Sequence, residues 1–448
     1  MDLKQNFSEN YESWGRVEKP SQEICHGTQT GEFQNFLSSL KDQSVLPYGR
    51  GRSYGDSCLN DGGFLLATHR LKKILSFDVE KGILRCESGM TLGEVIKTIL
   101  PKGWFLPVIP GSQMITLGGA VANDVHGKNH SLCGSFGCHL TCFELLRSDG
   151  SLLFCSRVQN SDLFFATIGG LGLTGLITWA EIKLLPICSS SIKVKTIACE
   201  NIESVFTNAE NLNEDFQYQV AWLDSTAKGS SLGRGILSQG RHLEVEESLA
   251  CHPKTPLKLP FSPPFSLITD TGNKIFNKFY YYKNTLRKDD LISPLENFFF
   301  PLDRIGNWNF LYGRKGFFQY QGVFPKTCGF TPIAEILEEI QHSNSTSFLS
   351  VLKFFGGHNS QGWLSFPMEG STLSIDLNNQ GQKTLELLSR LNNITLKFGG
   401  RVYPAKDSRM NPETFKASFP NWKEIETIKD PCFSSNFWRR VTGDRRAQ

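Results

Sequence analysis

The sequence predicts a two-domain α+β protein, and three observations lead there. The chain has 448 residues, and domains hold on the order of 100–200 residues, so two large domains are the simplest division. Up to Ile187, hairpin signals alternate with short capped helices. Beyond it, strand-like runs stand beside longer amphipathic stretches.

The elements follow in order. Phe64–Thr68 reads as a strand. Ile74–Asp78 and Ile83–Glu87 read as a hairpin across Glu80-Lys81-Gly82. Thr91 caps a helix over Leu92–Leu100, and Glu94 completes a capping box. Leu140–Leu146 and Leu152–Cys155 form a second hairpin across Ser148-Asp149-Gly150, and Ile177–Leu185 alternates as a strand. Pro253–Pro264 holds five prolines. The aromatic run Phe276–Tyr282 follows, with Lys274, Lys278 and Lys283 in or beside it. This region is either a long surface excursion or a mobile lid or apolar entrance for a greasy substrate. Pro332–Ile340 is an amphipathic helix, Phe348–Phe355 and Leu373–Leu377 are strands, and Gln380–Phe398 contains a helix.

Composition excludes several function classes. A net charge of +3 is too balanced for a protein living on nucleic-acid phosphates. The 12 cysteines are scattered and form no CxxC, which points to reduced thiols in a reducing, cytoplasmic compartment. His126 and His130 are four apart, but Gly127 and Lys128 follow the first histidine where a zinc protease needs Glu, so no metal is expected. Two charge-free stretches, Trp104–Asn123 and Leu163–Ala180, approach the length of a membrane span. Prolines and the glycines at 118, 119, 169, 170, 172 and 175 break them, so both are expected as loops around a cofactor.

Three glycine-rich clusters carry the chemistry. The first is Tyr48-Gly49-Arg50-Gly51-Arg52-Ser53-Tyr54-Gly55-Asp56. Its unshielded N–H groups suit a pyrophosphate, to which two arginines add charge and Ser53 a hydroxyl. The second runs from Gly111 through Thr116-Leu117-Gly118-Gly119 to Asn123-Asp124-Val125-His126, where small residues let a flat ligand lie against backbone. The third is Ile168–Gly175, with Gly172 at its centre and Ile177 just beyond. No βαβ unit frames them as a Rossmann motif. Together they describe an extended dinucleotide held mainly by backbone.

The segments GRGRSYGD, PGSQMITLGGAVANDVHGKNH and GGLGLTG resemble the flavin-binding segments of the vanillyl-alcohol-oxidase, or PCMH-type, FAD family. QYQ at Gln319–Gln321 and AKDSR at Ala405–Arg409 are similar to the branch acting on polyprenylphosphoryl ribose. The resemblance implies a PCMH-type FAD domain over 1–188 and a substrate domain of antiparallel sheet plus helices over 189–400. Residues 401–448 would return to the FAD domain. It implies that the first loop holds the FAD pyrophosphate, that the second cluster lines the isoalloxazine, that the third lies near the adenine, and that Tyr403 also binds the cofactor. Arg52 occupies the place of a histidine that bonds covalently to flavin in some relatives, which implies non-covalent FAD.

The reaction implied is oxidation of a secondary sugar alcohol to a ketone, as the first half of an epimerisation completed by a short-chain reductase. Lys406 would stand between flavin and substrate, and Tyr54 would close the pocket. Lys406 and His126 are both candidates for the base. Lys128, Gln319, Gln321, Lys353, Trp222, Phe355 and Ser374 would meet the substrate. Gln319 and Gln321 share a strand face, because the side-chain period is two. Ser374, Thr372 and Phe299 replace a cysteine, an asparagine and a tyrosine of mycobacterial forms, so the glycosyl group is left open. Quinone, another acceptor or oxygen would reoxidise the flavin, with peripheral contact at the inner membrane face. An aldonolactone or free-polyol oxidase is the alternative activity, and a non-catalytic flavoprotein the rival from another class.

Overall fold

The structure is a computed structural model that describes residues 11–40, 43–210, 216–245, 249, 257–286, 290–358, 360–407 and 409–443. Residues 253–256 of the proline-rich stretch and Ser408 of AKDSR lie outside them.

A small parallel sheet opens the chain, in the order Glu23–His26, Phe64–Ala67, Val45–Tyr48. Parallel neighbours need a crossover, and the one after Val45–Tyr48 is the first glycine-rich loop. An antiparallel five-stranded sheet follows, in the order Ile74–Asp78, Ile83–Glu87, Leu176–Lys183, Leu140–Leu146, Leu152–Ser156. Both expected hairpins are present, with Asp78 opposite Ile83 and Leu146 opposite Leu152. The expected capping box also forms. Thr91 Oγ1 accepts from the Glu94 N–H at 3.2 Å, and the Glu94 carboxylate accepts from the Thr91 N–H at 2.8 Å. Such a cap stabilises a helix by about 1 kcal/mol. It orients Leu92–Ile99, which buries Leu92, Val95, Ile96 and Ile99.

The two charge-free stretches are not loops throughout. Leu117–Ala122 is a short helix capped by Thr116, whose Oγ1 accepts from the Gly119 N–H at 3.2 Å. Ser161–Thr167 is helical and Leu176–Lys183 is a strand, so only the glycine-rich part between them is irregular. Helix propensity underrates glycines that tertiary packing demands. A Cβ at Gly118 would lie 3.0 Å from Ser88 Cβ.

The eight-stranded antiparallel sheet runs Leu291–Pro294, Ser191–Cys199, Gly235–His242, Tyr218–Leu223, Ser350–Phe355, Gly370–Asn378, Phe317–Pro325, Arg401–Val402. Helices Ile202–Glu210, Thr331–His342 and Gln382–Lys397 bury one face of it through Val205, Ile336, Leu337, Leu387 and Leu391. Strand alternation puts Phe318, Tyr320, Leu352, Leu373 and Ile375 on that face. The opposite face carries Gln319, Gln321, Lys353 and Ser374. The aromatic run forms part of a helix, Asp270–Thr285.

The C-terminal helices Pro412–Ser418, Trp422–Ile428 and Asn436–Thr442 turn back onto the first part of the chain. Phe437 and Trp438 pack with Ala166, Leu171 and Leu173. Arg440 is the electrostatic clasp. Its guanidinium holds the Asp56 carboxylate at 2.8 and 3.0 Å and Asp407 at 3.1 Å. Asp56 ends the first glycine loop and Asp407 follows Lys406, so one cation fixes both.

Candidate active site

A cavity of about 600 Å³ lies between the glycine-rich loops and the open face of the eight-stranded sheet. Its wall includes Gly49–Tyr54, Gly111, Thr116, Gly118, Gly119, Asn123, Val125, His126, Lys128, Gly172 and Ile177 from the first part of the chain. Trp222, Gln319, Gln321, Lys353, Ser374, Tyr403 and Lys406 complete it from the other side. Residues more than 350 positions apart thus share one space.

Five expected site residues stand behind this wall, each for a visible reason. Tyr48 donates its hydroxyl to the Glu12 carbonyl at 2.7 Å and so braces the loop from outside. Gly55 precedes the short turn Asp56–Cys58. Leu117 is wholly core. The Asp124 carboxylate is fully enclosed, accepting from Ser135 Oγ at 2.8 Å, Ser365 Oγ at 2.6 Å and the Gly137 N–H at 2.8 Å. Phe355 packs its ring on His126 and His130, with centroids 4.9 and 4.2 Å away. That contact separates the two histidines. His126 lines the cavity, whereas His130 is sealed beneath Phe355, where burial pushes its pKa down to about 3.

Lys406 is positioned from four directions. The Tyr54 N–H donates to the Ala405 carbonyl at 2.8 Å, and the Tyr403 N–H to the Gln321 carbonyl at 2.9 Å. The Tyr403 hydroxyl donates to the Asn123 carbonyl at 2.9 Å. The ammonium nitrogen itself sits 3.8 Å from the Tyr54 ring centroid. Desolvation holds Lys406 well below the ordinary lysine range, against the attraction of the Asp376 carboxylate, and it pushes buried Asp376 up. Lys128 and Lys353 also line the cavity. Burial, with Lys353 nearby, pushes Lys128 down to about 7; burial takes Lys353 to about 8. Lys128 donates to the Phe298 carbonyl. Among the described residues no carboxylate forms an ion pair with any of these three lysines.

The two strand amides are buried, not solvated. Gln319 donates to Asp376 directly across the strand pair. Gln321 Nε2 donates to Thr372 Oγ1 at 3.1 Å, and that hydroxyl in turn donates to the Gly322 carbonyl at 2.9 Å. This fixes the amide nitrogen toward His126 Nε2, 3.0 Å away. His126 Nε2 is therefore the acceptor and Nδ1 carries the proton. That Nδ1 is buried without a protein partner. Burial, with Lys353, His130 and Lys406 nearby, keeps the ring neutral.

Sequence reasoning missed Asp303, Asp376 and Trp14. Asp303 accepts from Ser112 Oγ at 2.9 Å and the Gln113 N–H at 2.8 Å, which pins the second cluster to the turn Pro301–Arg304. Trp14 lies under the Arg52 guanidinium, 4.1 Å from the ring centroid. Asp376 left a signal, as the one acid on its strand, in step with Ser374 and opposite Gln319.

The residues present fit a flavin dinucleotide. Arg52 Nε, Ser57 Oγ and Ser88 Oγ are buried without partners, and all three residues line the cavity. A Cβ on Gly51 would overlap the Glu12 carbonyl, and one on Gly49 would overlap Thr116. The wall is thus as thin as backbone allows where a pyrophosphate needs N–H groups.

Comparison with known proteins agrees. A family model described as an FAD binding domain matches residues 27–156. The decaprenylphosphoryl-β-D-ribose oxidase of Mycolicibacterium smegmatis is 35% identical over 413 residues, covering 89% of each chain. An uncharacterised protein of Streptomyces coelicolor is 30% identical over 369 residues, 79% of this chain and all of the other. The Δ24-sterol reductase of Homo sapiens is 32% identical over 149 residues, 32% of this chain and 28% of that one. FAD is the cofactor, and the chain belongs to the PCMH-type family of FAD-dependent oxidoreductases.

Proposed function

We propose that the enzyme oxidises the 2-hydroxyl of a polyprenylphosphoryl-β-D-ribose-like substrate to a ketone. The observation that carries this reading is the pair of cavity lysines, Lys128 and Lys353, that have no carboxylate partner among the described residues. Unpaired buried cations call for an anion from the ligand. Lys353 and Lys128 meet the substrate phosphate, and Gln319, Ser374 and Trp222 meet the sugar. The M. smegmatis relative, named for such a substrate, supports the choice.

Bound FAD supplies the two-electron acceptor for the carbinol carbon. Gly49–Ser53 would hold its pyrophosphate, the Thr116–Gly119 turn and Val125 its ring system, and Gly172 with Ile177 its adenine half. It is held non-covalently, because Arg52 stands where a linking histidine would be. Lys406 is the base. Its lowered pKa leaves a neutral amine population near neutral pH, and Nζ takes the hydroxyl proton. His126, neutral and locked by Gln321, donates Nδ1–H to a ligand oxygen and orients the carbinol. Tyr54 screens Lys406 from water.

The division into an FAD domain over 1–188, a substrate domain over 189–400 and a C-terminal return over 401–448 belongs to the same proposal. So do oxidation as the first half of an epimerisation, a short-chain reductase partner, quinone or another acceptor, and work at the inner face of the membrane. Among the described residues no helix is long and apolar enough to cross a membrane.

The test is an absorbance spectrum before and after acid precipitation, followed by anaerobic addition of polyprenylphosphoryl ribose. Flavin released by acid and bleached by that substrate is the expected result. Flavin that stays with the pellet would refute non-covalent binding. Bleaching by a free polyol or aldonolactone alone would move the substrate to that class, and no bleaching by any sugar would favour a non-catalytic flavoprotein.

A further inference from the structure

The helix Asp270–Thr285 is built inside out. A surface helix normally turns apolar residues inward and polar ones to water. Here the buried positions are Asn273, Asn277, Tyr281 and Asn284. Asn273 Nδ2 donates to Thr346 Oγ1 at 3.0 Å, and Asn277 Nδ2 to Asp224 Oδ1 at 3.1 Å and to the Ser347 carbonyl at 2.9 Å. The outward face presents Ile275 at 66% exposure and Phe279 at 63%, with Tyr282 and, just past the end, Leu286 beside them. The segment leading into the helix adds exposed Phe261, Phe265 and Leu267.

The outward charge has one sign. Lys274, Lys278 and Lys283 are exposed. The helix's one acid, Asp270, is occupied by the Thr346 hydroxyl at 2.6 Å. Among the described residues no carboxylate forms an ion pair with Lys274, Lys278 or Lys283. The same helix reaches the cavity, since Phe276 and Tyr280 line it. Tyr280 packs edge-on against Trp222, with centroids 4.7 Å apart.

We propose that this face docks on an anionic lipid bilayer, setting the mouth of the cavity at the membrane surface. Exposed aromatic and aliphatic side chains among lysines are the composition of an interfacial helix, in which apolar groups enter the acyl boundary and lysines meet lipid phosphates. The exposed lysines supply the positive charge that anionic lipid headgroups complement. The inference deepens the prenyl-linked substrate reading. It is measured without substrate, so either can fail alone.

The experiment is co-sedimentation of the FAD-loaded protein with vesicles of phosphatidylcholine, alone or with about one-third phosphatidylglycerol. Binding is expected to the anionic vesicles and to fade with salt. Ile275→Ser with Phe279→Ser should lower the partition coefficient by roughly a hundredfold. Lys274→Gln with Lys278→Gln should lower it by roughly thirtyfold. Flavin content and melting temperature should be unchanged in both, because neither pair lines the cavity. If the serine pair fails to fold, the lysine pair and the salt series decide the matter. The proposal is overturned by absent binding, by equal binding to both vesicle types, or by binding that survives both variant pairs. A wild-type dimer that the serine pair dissociates, with no vesicle binding, would overturn it in favour of a second copy of the chain.

Discussion

Along Gly49, Gly51, Gly118 and Gly119 the cavity wall is backbone, whereas at Lys128, Lys353 and Lys406 it is charged side chain. The glycine wall is tightest at Gly51, where a Cβ would overlap the Glu12 carbonyl and φ is +58°. The lysine wall is tuned by burial and by distant partners, with Lys128 near 7 and Lys353 near 8. One wall acts through shape and the other through electrostatics, so they should fail differently when altered.

Arg440→Met should break both walls at once, because it strands the carboxylates of Asp56 and Asp407. Removing one partner of a buried ion pair costs about 3–5 kcal/mol. Thermal melts should show that loss together with lost flavin. A variant that melts like wild type would show that the clasp is idle.

Lys406→Met should separate the walls. Turnover should fall by roughly a thousandfold with FAD retained, the middle of the range for a lost acid–base group. In the wild type, kcat/KM should rise with pH through a pKa below the ordinary lysine range, because only neutral Lys406 takes the proton. Asp376→Asn should move that limb to lower pH, since the carboxylate's attraction raises the lysine pKa. A limb that stays in place would mean that another group is titrating.

Gly51→Ala should do the reverse of Lys406→Met. A residue forced into positive φ costs on the order of 1–3 kcal/mol. FAD affinity should drop by roughly tenfold to a hundredfold, read by flavin loss on dilution, while the enzyme saturated with FAD keeps most of its turnover.

The smallest effect is on stability. Lys128 binds its proton more weakly in the folded protein than in the unfolded chain, whose value is 10.5. Above pH 7 the unfolded chain holds more protons, so stability from this group rises with pH. Between about pH 7 and 8.5, unfolding free energy should climb faster in wild type than in Lys128→Met, by up to about 1 kcal/mol per pH unit. Equal slopes would show that Lys128 keeps an ordinary pKa.

What was legible in the chain follows this same division. The hairpins at Ile74–Glu87 and Leu140–Ser156, the Thr91 cap and the three glycine clusters are written in residues a few positions apart. Turn geometry and backbone access are local properties, so adjacent residues suffice to specify them. The family resemblance extended that legibility to distant site residues such as Lys406 and Gln321 without supplying their geometry. By periodicity alone the Asp270–Thr285 helix did not read as one, because its apolar residues point outward and its asparagines point in.

By itself, then, the sequence determined the α+β elements, the backbone-lined dinucleotide loops and the FAD chemistry they invite. Only the tertiary structure decided that His126 faces the cavity while His130 is sealed under Phe355, that Gln321 sets the His126 tautomer, and that Asp376 stands by Lys406. These depend on strand register and on which side chains lose water. Desolvation and charge act across space, between groups that the chain brings together only when its sheets and the C-terminal return close on one another.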